Sequence, residues 1–219
     1  MSNLSLISNW FCIEGFDGAG KSTAVLNLKE FLAKEGRRVT QTREPGGTPW
    51  SEILRDALKY PPQEDKPGLK AQLAAMFASR YNLYDKVIEP HLNDGNILLC
   101  DRFAGSTYAY QVAPNPQLKP LFDAMFEAGA FAPRFDIFLD VSYENSQKRM
   151  GVRGEEMDAI EQQNAGEDKF NRLREGMLEY LNTYQAERHI IVDTNDKTED
   201  EVWQEVYRRI VCQSVESAA

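Results

Sequence analysis

Short runs of apolar and β-branched residues alternate along the chain with longer segments in which apolar residues recur every three or four positions. Nearly continuous apolar runs are typical of strands that are covered by helices on both faces. The predicted strands are Trp10-Phe11-Cys12-Ile13, Val39-Thr40-Gln41-Thr42, Ile97-Leu98-Leu99-Cys100, Phe135-Asp136-Ile137-Phe138-Leu139 and Ile190-Ile191-Val192. Strands that alternate with helices predict an α/β fold with a parallel sheet, here of five strands.

Helical spacing of apolar residues is clearest in three segments. The first stripe ends before Gly36, a residue that favours the left-handed turn closing a helix, and comprises Val25, Leu28, Phe31 and Leu32. A longer helix is predicted from about Leu69 to Leu92, with a bend at Pro90 because proline has no backbone N–H. The last stripe comprises Val202, Trp203, Val206, Tyr207 and Ile210.

The chain has 219 residues, which predicts a single domain over residues 1–213, followed by a flexible tail at 214–219. Hydrophobic residues make up 42% and charged residues 27%, as in an ordinary globular protein. No apolar run approaches the roughly 18–20 residues that cross a bilayer, and the N-terminus has no basic-then-apolar leader. We therefore expect a cytoplasmic protein without membrane contact.

Charge and cysteine usage exclude two further classes. The net charge of −9 opposes an electrostatic grip on nucleic acid. The three cysteines, Cys12, Cys100 and Cys212, are widely spaced, and with only two histidines the chain is a poor candidate for a zinc site. Buried, reduced thiols are the expected state of these cysteines.

The strongest local motif is Gly15-Phe16-Asp17-Gly18-Ala19-Gly20-Lys21-Ser22, which fits G-x-x-x-x-G-K-[ST] between a predicted strand and a predicted helix. Backbone N–H groups of such a loop surround phosphate oxygens, Lys21 reaches the β- and γ-phosphates, and the Ser22 hydroxyl ligates Mg²⁺. We expect Asp101, at the end of the third strand, to be the second metal residue. The predicted ATP-binding residues here are Gly15, Phe16, Asp17, Gly18, Ala19, Gly20, Lys21, Ser22 and Thr23.

A phosphate loop predicts a nucleotide but not a reaction. Guanine-specific switches read the base with N-K-x-D, which Asn195-Asp196-Lys197-Thr198 does not match. Motor and helicase proteins need nucleic-acid surfaces that an acidic chain does not offer. A small phosphotransferase is the remaining interpretation.

Three further segments, together with the phosphate loop, resemble the thymidylate kinase family from about Trp10 to Val211. They are Arg43-Glu44-Pro45-Gly46-Gly47-Thr48, Asp101-Arg102-Phe103 followed by Ser106-Thr107-Tyr108-Ala109-Tyr110-Gln111, and Arg149 through Arg153-Gly154. The resemblance implies a three-layer P-loop NTPase fold with a small mobile lid, transfer of the γ-phosphate of Mg-ATP to dTMP, and a homodimer.

The same resemblance assigns roles on the acceptor side. It implies that Arg43 and Arg102 grip the acceptor phosphate, that Asp17 approaches the sugar 3′-hydroxyl, and that Arg80 hydrogen-bonds thymine. Planar guanidinium groups suit phosphate oxygens well. Further contacts around the sugar and base are implied for Pro45, Leu54, Ser106, Thr107, Tyr110 and Gln111.

One position departs from the family pattern. The family usually places a base-stacking phenylalanine four residues before the arginine that corresponds to Arg80, where this chain has Met76 followed by Phe77. One residue along a helix is about 100° of rotation, so Phe77 replaces that phenylalanine only if the helix is locally shifted. Both residues are kept as candidates, and a polarizable methionine can itself lie against a ring.

Members of the family carry a catalytic arginine either in the phosphate loop or in a lid. The loop position is Gly18 here, so we assign the chain to the lid-arginine subtype, with a lid at about residues 149–166. Arg153 is then the expected clamp on the transferred phosphoryl group, and the resemblance places Arg149 over the adenine.

The phosphate loop predicts a small phosphotransferase, and the family resemblance implies that it is a dTMP kinase. Another pyrimidine acceptor, dUMP or a modified base, stays open because of Met76. A nucleotide-binding regulator without transfer is an alternative of another class. A nucleoside kinase is disfavoured because its neutral hydroxyl acceptor needs a carboxylate base where this chain has arginines.

Overall fold

A computed structural model describes residues 5–129, 131–153 and 166–216. Its five strands form one parallel sheet in the order β2-β3-β1-β4-β5. The strands are β1 (Ser5–Gly15), β2 (Val39–Arg43), β3 (Ile97–Asp101), β4 (Phe131–Asp140) and β5 (His189–Asp193). All five predicted strands are thus confirmed, and β1 and β4 extend well beyond their apolar centres.

Helices flank this sheet and complete its core. They are α1 (Lys21–Lys34), α2 (Pro49–Lys59), α3 (Leu69–Leu83), α4 (Glu89–Asn93), α5 (Ala104–Thr107), α6 (Lys119–Gly129), α7 (Tyr143–Arg153), α8 (Glu167–Tyr184) and α9 (Glu199–Glu216). Two π-helical turns, Tyr84–Ile88 and Tyr108–Val112, and a 3-10 turn, Pro116–Leu118, connect some of them. None of the helices in these described ranges has the length and apolar character to cross a membrane.

Aromatic side chains hold the helices together around the sheet. Phe31 of α1 packs against Trp203 and Tyr207 of α9, with ring centroids 5.4 and 4.6 Å apart. Phe122 of α6 contacts Phe77 of α3 at 5.5 Å and lies in a wider cluster that includes α8. The centres of β1, β3 and β4 are buried, which is why their sequences are almost continuously apolar, whereas the edge strand β2 is partly exposed.

The helix predicted at about 69–92 differs in where it is irregular. It comprises α3, a π-helical turn and α4, so the disturbance lies at residues 84–88, one turn before Pro90. Proline cannot donate to the carbonyl four residues earlier, and a wider turn accommodates that missing bond. At the C-terminus, α9 continues to Glu216, so the first part of the predicted tail is helical.

The strand order determines where functional side chains meet. Strands β2, β3 and β1 are neighbours and parallel, so the segments that follow them lie side by side at one edge of the sheet. Arg43 ends β2 opposite Asp101 of β3, and the phosphate loop follows β1. Most of the predicted lid, residues 154–165, lies outside the described residues.

Candidate active site

The phosphate loop lies between β1 and α1 as predicted. Gly18 and Gly20 have φ values of 76° and 90°, which favour glycine. A Cβ at Gly18 would lie 2.7 Å from the carbonyl oxygen of Ser146, and the Ser146 hydroxyl donates to the carbonyl of Asp17 at 2.7 Å. The loop is therefore held closely against α7, with the N-terminus of α1 behind it, as an anion-binding loop requires.

Lys21 is buried within this loop, with 8% of its side chain exposed. Its Nζ donates to the carbonyl of Phe16 at 3.1 Å and lies 3.9 Å from Oδ1 of Asp17. Burial lowers the pKa of Lys21 to about 8, the charge of Arg102 acts in the same direction, and Asp17 opposes the shift. A phosphate bound beside this ammonium would supply the counter-charge that the protein alone gives only in part.

A cleft of about 320 Å³ opens in front of the loop. Among the residues predicted from sequence, it is lined by Asp17, Gly18, Gly20, Lys21, Ser22, Pro45, Met76, Arg80, Asp101, Arg102, Ser106, Thr107, Tyr110 and Gln111. Four lining residues were not predicted: Glu44, Arg55, Lys59 and Phe103. The phosphate loop and the predicted acceptor residues therefore share one cleft.

Arg102 projects into the cleft from the turn after β3. Its φ of 69° is in the left-handed region, which is uncommon for a residue with a side chain. Its guanidinium donates to the Gly15 carbonyl at 3.0 Å, to the Ser106 hydroxyl at 3.2 Å and to Asp17 Oδ1 at 3.0 Å. These contacts fix the donor groups of Arg102 beside the phosphate loop.

Arg43 ends β2 and pairs with Glu52 of α2 outside the cleft. Its side chain is 53% exposed and donates to Oε2 of Glu52 at 2.9 Å, while Oε1 of Glu52 accepts the Gly47 N–H at 2.7 Å. Arg43 is not among the residues that line the cleft, and Arg55 of α2 takes a position there instead, donating to the Pro45 carbonyl at 2.9 Å. Arg55 and Lys59 are one helical turn apart, a spacing that could have revealed them.

A buried ion pair forms the inner wall. Arg80 Nε donates to Glu44 Oε2 at 2.8 Å and Nη2 donates to the Thr107 hydroxyl at 2.8 Å, with both side chains of the ion pair 3% exposed. Burial raises the pKa of Glu44 to about 7, although Arg80 opposes the shift. Arg80 Nη1 and Gln111 Oε1 are buried and have no hydrogen-bond partner among the described residues. A donor and an acceptor are thus available at this wall.

Met76 and Phe77 have separate positions. Met76 lines the cleft, whereas Phe77 is 1% exposed and packs in the core, with the Arg80 guanidinium 4.7 Å from its ring centroid. The rotation between successive helical residues separates them, because α3 is regular at this point. Phe16 also faces the core, against Phe138 and Phe170. Other predicted residues that do not line the cleft are Gly15, Ala19, Thr23, Leu54 and Arg149.

Two oxygen ligands suit a magnesium ion at the cleft floor. Ser22 and Asp101 both line the cleft, and Asp101 Oδ1 is buried without a partner in the part of the chain that the structure describes. Mg²⁺ prefers oxygen ligands and usually combines one or two carboxylates with phosphates and water. The residues present therefore fit this ion.

Arg149 of α7 lies on the other side of the phosphate loop. It donates to the Gly18 carbonyl at 3.0 Å, and to the Thr194 hydroxyl and carbonyl at 3.2 and 2.6 Å. This arrangement joins the loop to the segment after β5. The backbone of Arg153 ends α7, but its side chain lies outside the described part, so its predicted role rests on sequence.

A phosphate loop that shares one cleft with several guanidinium groups is typical of P-loop nucleoside monophosphate kinases, in which cations align two anionic nucleotides. The family model described as Thymidylate kinase matches residues 13–206. The chain belongs to the thymidylate kinase family.

Individual relatives agree with this assignment. The chain is 39% identical to a thymidylate kinase of Neisseria meningitidis serogroup C, over 84% of this chain and 87% of that protein. It is 33% identical to a thymidylate kinase of Legionella pneumophila, over 87% and 84%. A crystal structure of thymidylate kinase from Ehrlichia chaffeensis is similar with a TM-score of 0.72 and 26% identity, over 93% of this chain and 98% of that one.

The buried charge of Lys21 predicts a stability cost. Since the folded pKa of about 8 lies below the ordinary value of 10.5, the protonated lysine destabilises the fold fully below pH 8, and the effect is relieved between pH 8 and 10.5. We expect Lys21→Met to raise the free energy of unfolding of the ligand-free protein by about 1–3 kcal/mol at pH 7. Urea unfolding at several pH values measures this, with exposed Lys66→Met as the control. If the gain in unfolding free energy from Lys21→Met stays the same above pH 8, the lowered pKa of the buried Lys21 is wrong.

Proposed function

We propose that this enzyme transfers the γ-phosphate of Mg-ATP to dTMP and releases dTDP and ADP. The observation that carries the proposal is a single cleft in which Lys21 of the phosphate loop faces Arg102 and the donor and acceptor groups of the inner wall. The acceptor of this reaction is already an anionic phosphate oxygen, so alignment and charge neutralisation matter more than a general base.

On the acceptor side, Arg102 binds the phosphate, and Arg43 turns inward to join it. Arg102 already has its guanidinium fixed, and Arg43 is exposed beside Glu52, from which it can rotate. Asp17 accepts the sugar 3′-hydroxyl, which supports a preference for a deoxynucleotide. The carboxylate of Asp17 lies 3.0 Å from Arg102, so phosphate and sugar contacts are coupled.

The inner wall complements the edge of thymine. Arg80 Nη1 donates to a ring carbonyl, and Gln111 Oε1 accepts from the adjacent ring N–H. Cytosine presents an amino group and a bare ring nitrogen at these positions, so it would leave both protein groups unpaired. Met76 lies against the base, and the remaining contacts to sugar and base come from Pro45, Ser106, Thr107 and Tyr110.

On the donor side, Lys21 and the loop amides bind the ATP phosphates, and Arg149 lies beside the adenine. Ser22 and Asp101 would hold Mg²⁺, which neutralises charge on the phosphates when bound. Arg153 closes over the two nucleotides with the lid and neutralises charge on the transferred group. Closure also excludes the water that would otherwise hydrolyse ATP.

An acceptor series tests the function. We expect kcat/KM to fall by about 10–200-fold from dTMP to dUMP, because one methyl group contributes that much discrimination, and further for dCMP. Initial rates with dTMP, dUMP, dCMP and AMP measure it. Gln111→Ala should reduce the dTMP/dCMP ratio at least about tenfold, whereas exposed Gln63→Ala should not. Equal rates with dTMP and dCMP would contradict the proposed base contacts, and no ADP formation with any acceptor would contradict the function.

Removing the lid arginine tests its role. Arg153→Ala should lower kcat by roughly 10²–10⁵ while ATP binding changes little, because the contact forms with the transferred group. Single-turnover rates and binding of a fluorescent ATP analogue separate the two effects. Arg172→Ala, an exposed arginine on α8, is the matched control. Near-normal turnover of Arg153→Ala would remove the lid assignment.

An exposed apolar face on α2 supports a homodimer. Trp50, Ile53 and Tyr60 are 49, 65 and 69% exposed and project from one side of the helix and its end. Contiguous exposed apolar groups of this kind mark protein interfaces. Light scattering should give a mass near twice 24.9 kDa, and Ile53→Asp should shift it toward the monomer. Exposed Leu26→Asp on α1 is the control, and a monomeric wild-type protein would contradict the proposal.

A further inference from the structure

The proposed reaction leaves the buried carboxylate of Glu14 without a role. Glu14 precedes the phosphate loop at the end of β1 and is 0% exposed. A carboxylate with no access to water is costly unless its oxygens accept several hydrogen bonds. Its partners therefore indicate what the residue does.

The hydrogen bonds that the Glu14 carboxylate accepts within the described part of the chain come from the segment after β3. Oε1 accepts the N–H groups of Phe103 and Ser106 at 2.9 and 3.0 Å, and Oε2 accepts the Ser106 hydroxyl at 2.6 Å. The first and last of these residues are 89 and 92 positions away along the chain. Glu14 thus fastens the start of α5 to the strand that leads into the phosphate loop.

The hydrogen bonds of Glu14 also constrain Arg102. The Ser106 hydroxyl that donates to Glu14 also accepts from Arg102 Nη1 at 3.2 Å. Phe103, whose N–H Glu14 accepts, directly follows Arg102, and Arg102 has a backbone φ of 69° that costs energy in a residue other than glycine. Glu14 therefore holds both the backbone and the guanidinium of Arg102 in place.

Gly105 gives independent support. A Cβ at Gly105 would lie 2.9 Å from Glu14 Oε1, with Met177 Sδ and Tyr180 Cδ1 at 2.9 and 3.0 Å. Its φ is not positive, so space, rather than backbone conformation, requires glycine here. The backbone at Gly105 therefore packs directly against the Glu14 carboxylate, with no room for a side chain.

We propose that Glu14 is a positioning residue that orients Arg102 toward the acceptor phosphate. The inference rests on the proposed function, since it assigns Arg102 to that phosphate. It predicts that losing the carboxylate weakens binding of the phosphate of dTMP, but not binding of the nucleoside part.

Calorimetric titration with dTMP and with thymidine tests this. Glu14→Leu should weaken dTMP binding about tenfold or more, which is the usual effect of losing hydrogen bonds to a charged group, and leave thymidine within about twofold. Glu14→Gln keeps a hydrogen-bond acceptor for both N–H groups but not for the Ser106 hydroxyl. Its affinity for dTMP should therefore fall about threefold. Asp136→Leu removes another 0%-exposed carboxylate, on β4, and serves as the control. It should change the affinities for dTMP and for thymidine by similar factors. If Glu14→Leu does not fold, the isosteric Glu14→Gln still decides the question.

A double-mutant cycle makes the test specific. In an Arg102→Ala background, Glu14→Gln and Glu14→Leu should change dTMP affinity less than twofold, because the group they position is gone. Equal losses for dTMP and thymidine, or losses that persist without Arg102, would overturn the inference. If wild-type protein fails to bind dTMP, or Arg102→Ala binds it normally, the proposed acceptor site fails instead. If both of those controls behave as expected and the Glu14 variants match wild type, only this inference fails.

Discussion

Burying positive charge is the constraint on which this cleft depends. An enzyme that aligns two phosphate tails needs cations at close range, yet a buried cation is costly without a counter-charge. Here Lys21 and Arg102 both lie within 4 Å of Asp17, and Arg80 is paired with Glu44. The carboxylates hold the cations in place but neutralise their positive charge only in part. The remaining positive charge is available to attract a phosphate.

The second constraint is the parallel sheet. The segments that follow β2, β3 and β1 lie side by side and bring Arg102 beside the phosphate loop, whereas α7 and the segment after β5 contact the loop through Arg149. In the proposed reaction, the two nucleotides would therefore enter along different strand ends and meet at this loop. This is the arrangement expected at the carboxyl edge of an open α/β sheet.

Some elements were predictable because their signals are local. The apolar strand runs need only a sheet covered on both faces, and the phosphate loop needs only a strand before it and a helix after it. The departure of Met76 from the family pattern was also readable, since helical rotation separates it from Phe77, which the structure places in the core. The position of the helix irregularity before Pro90 could not be predicted from the sequence, because a π-helical turn has no clear sequence pattern.

The sequence by itself determined the class of fold and the phosphate loop with Lys21, because each is encoded within a few neighbouring residues, but it did not reveal Arg55 and Lys59 as cations of the cleft. Only the tertiary structure decided which carboxylate serves which cation. Asp17 and Arg102 are 85 positions apart, Glu44 and Arg80 are 36 apart, and Glu14 meets a turn 89 positions away. Such pairs depend on strand order and on the depth of each side chain in the core, which no local pattern of residues specifies.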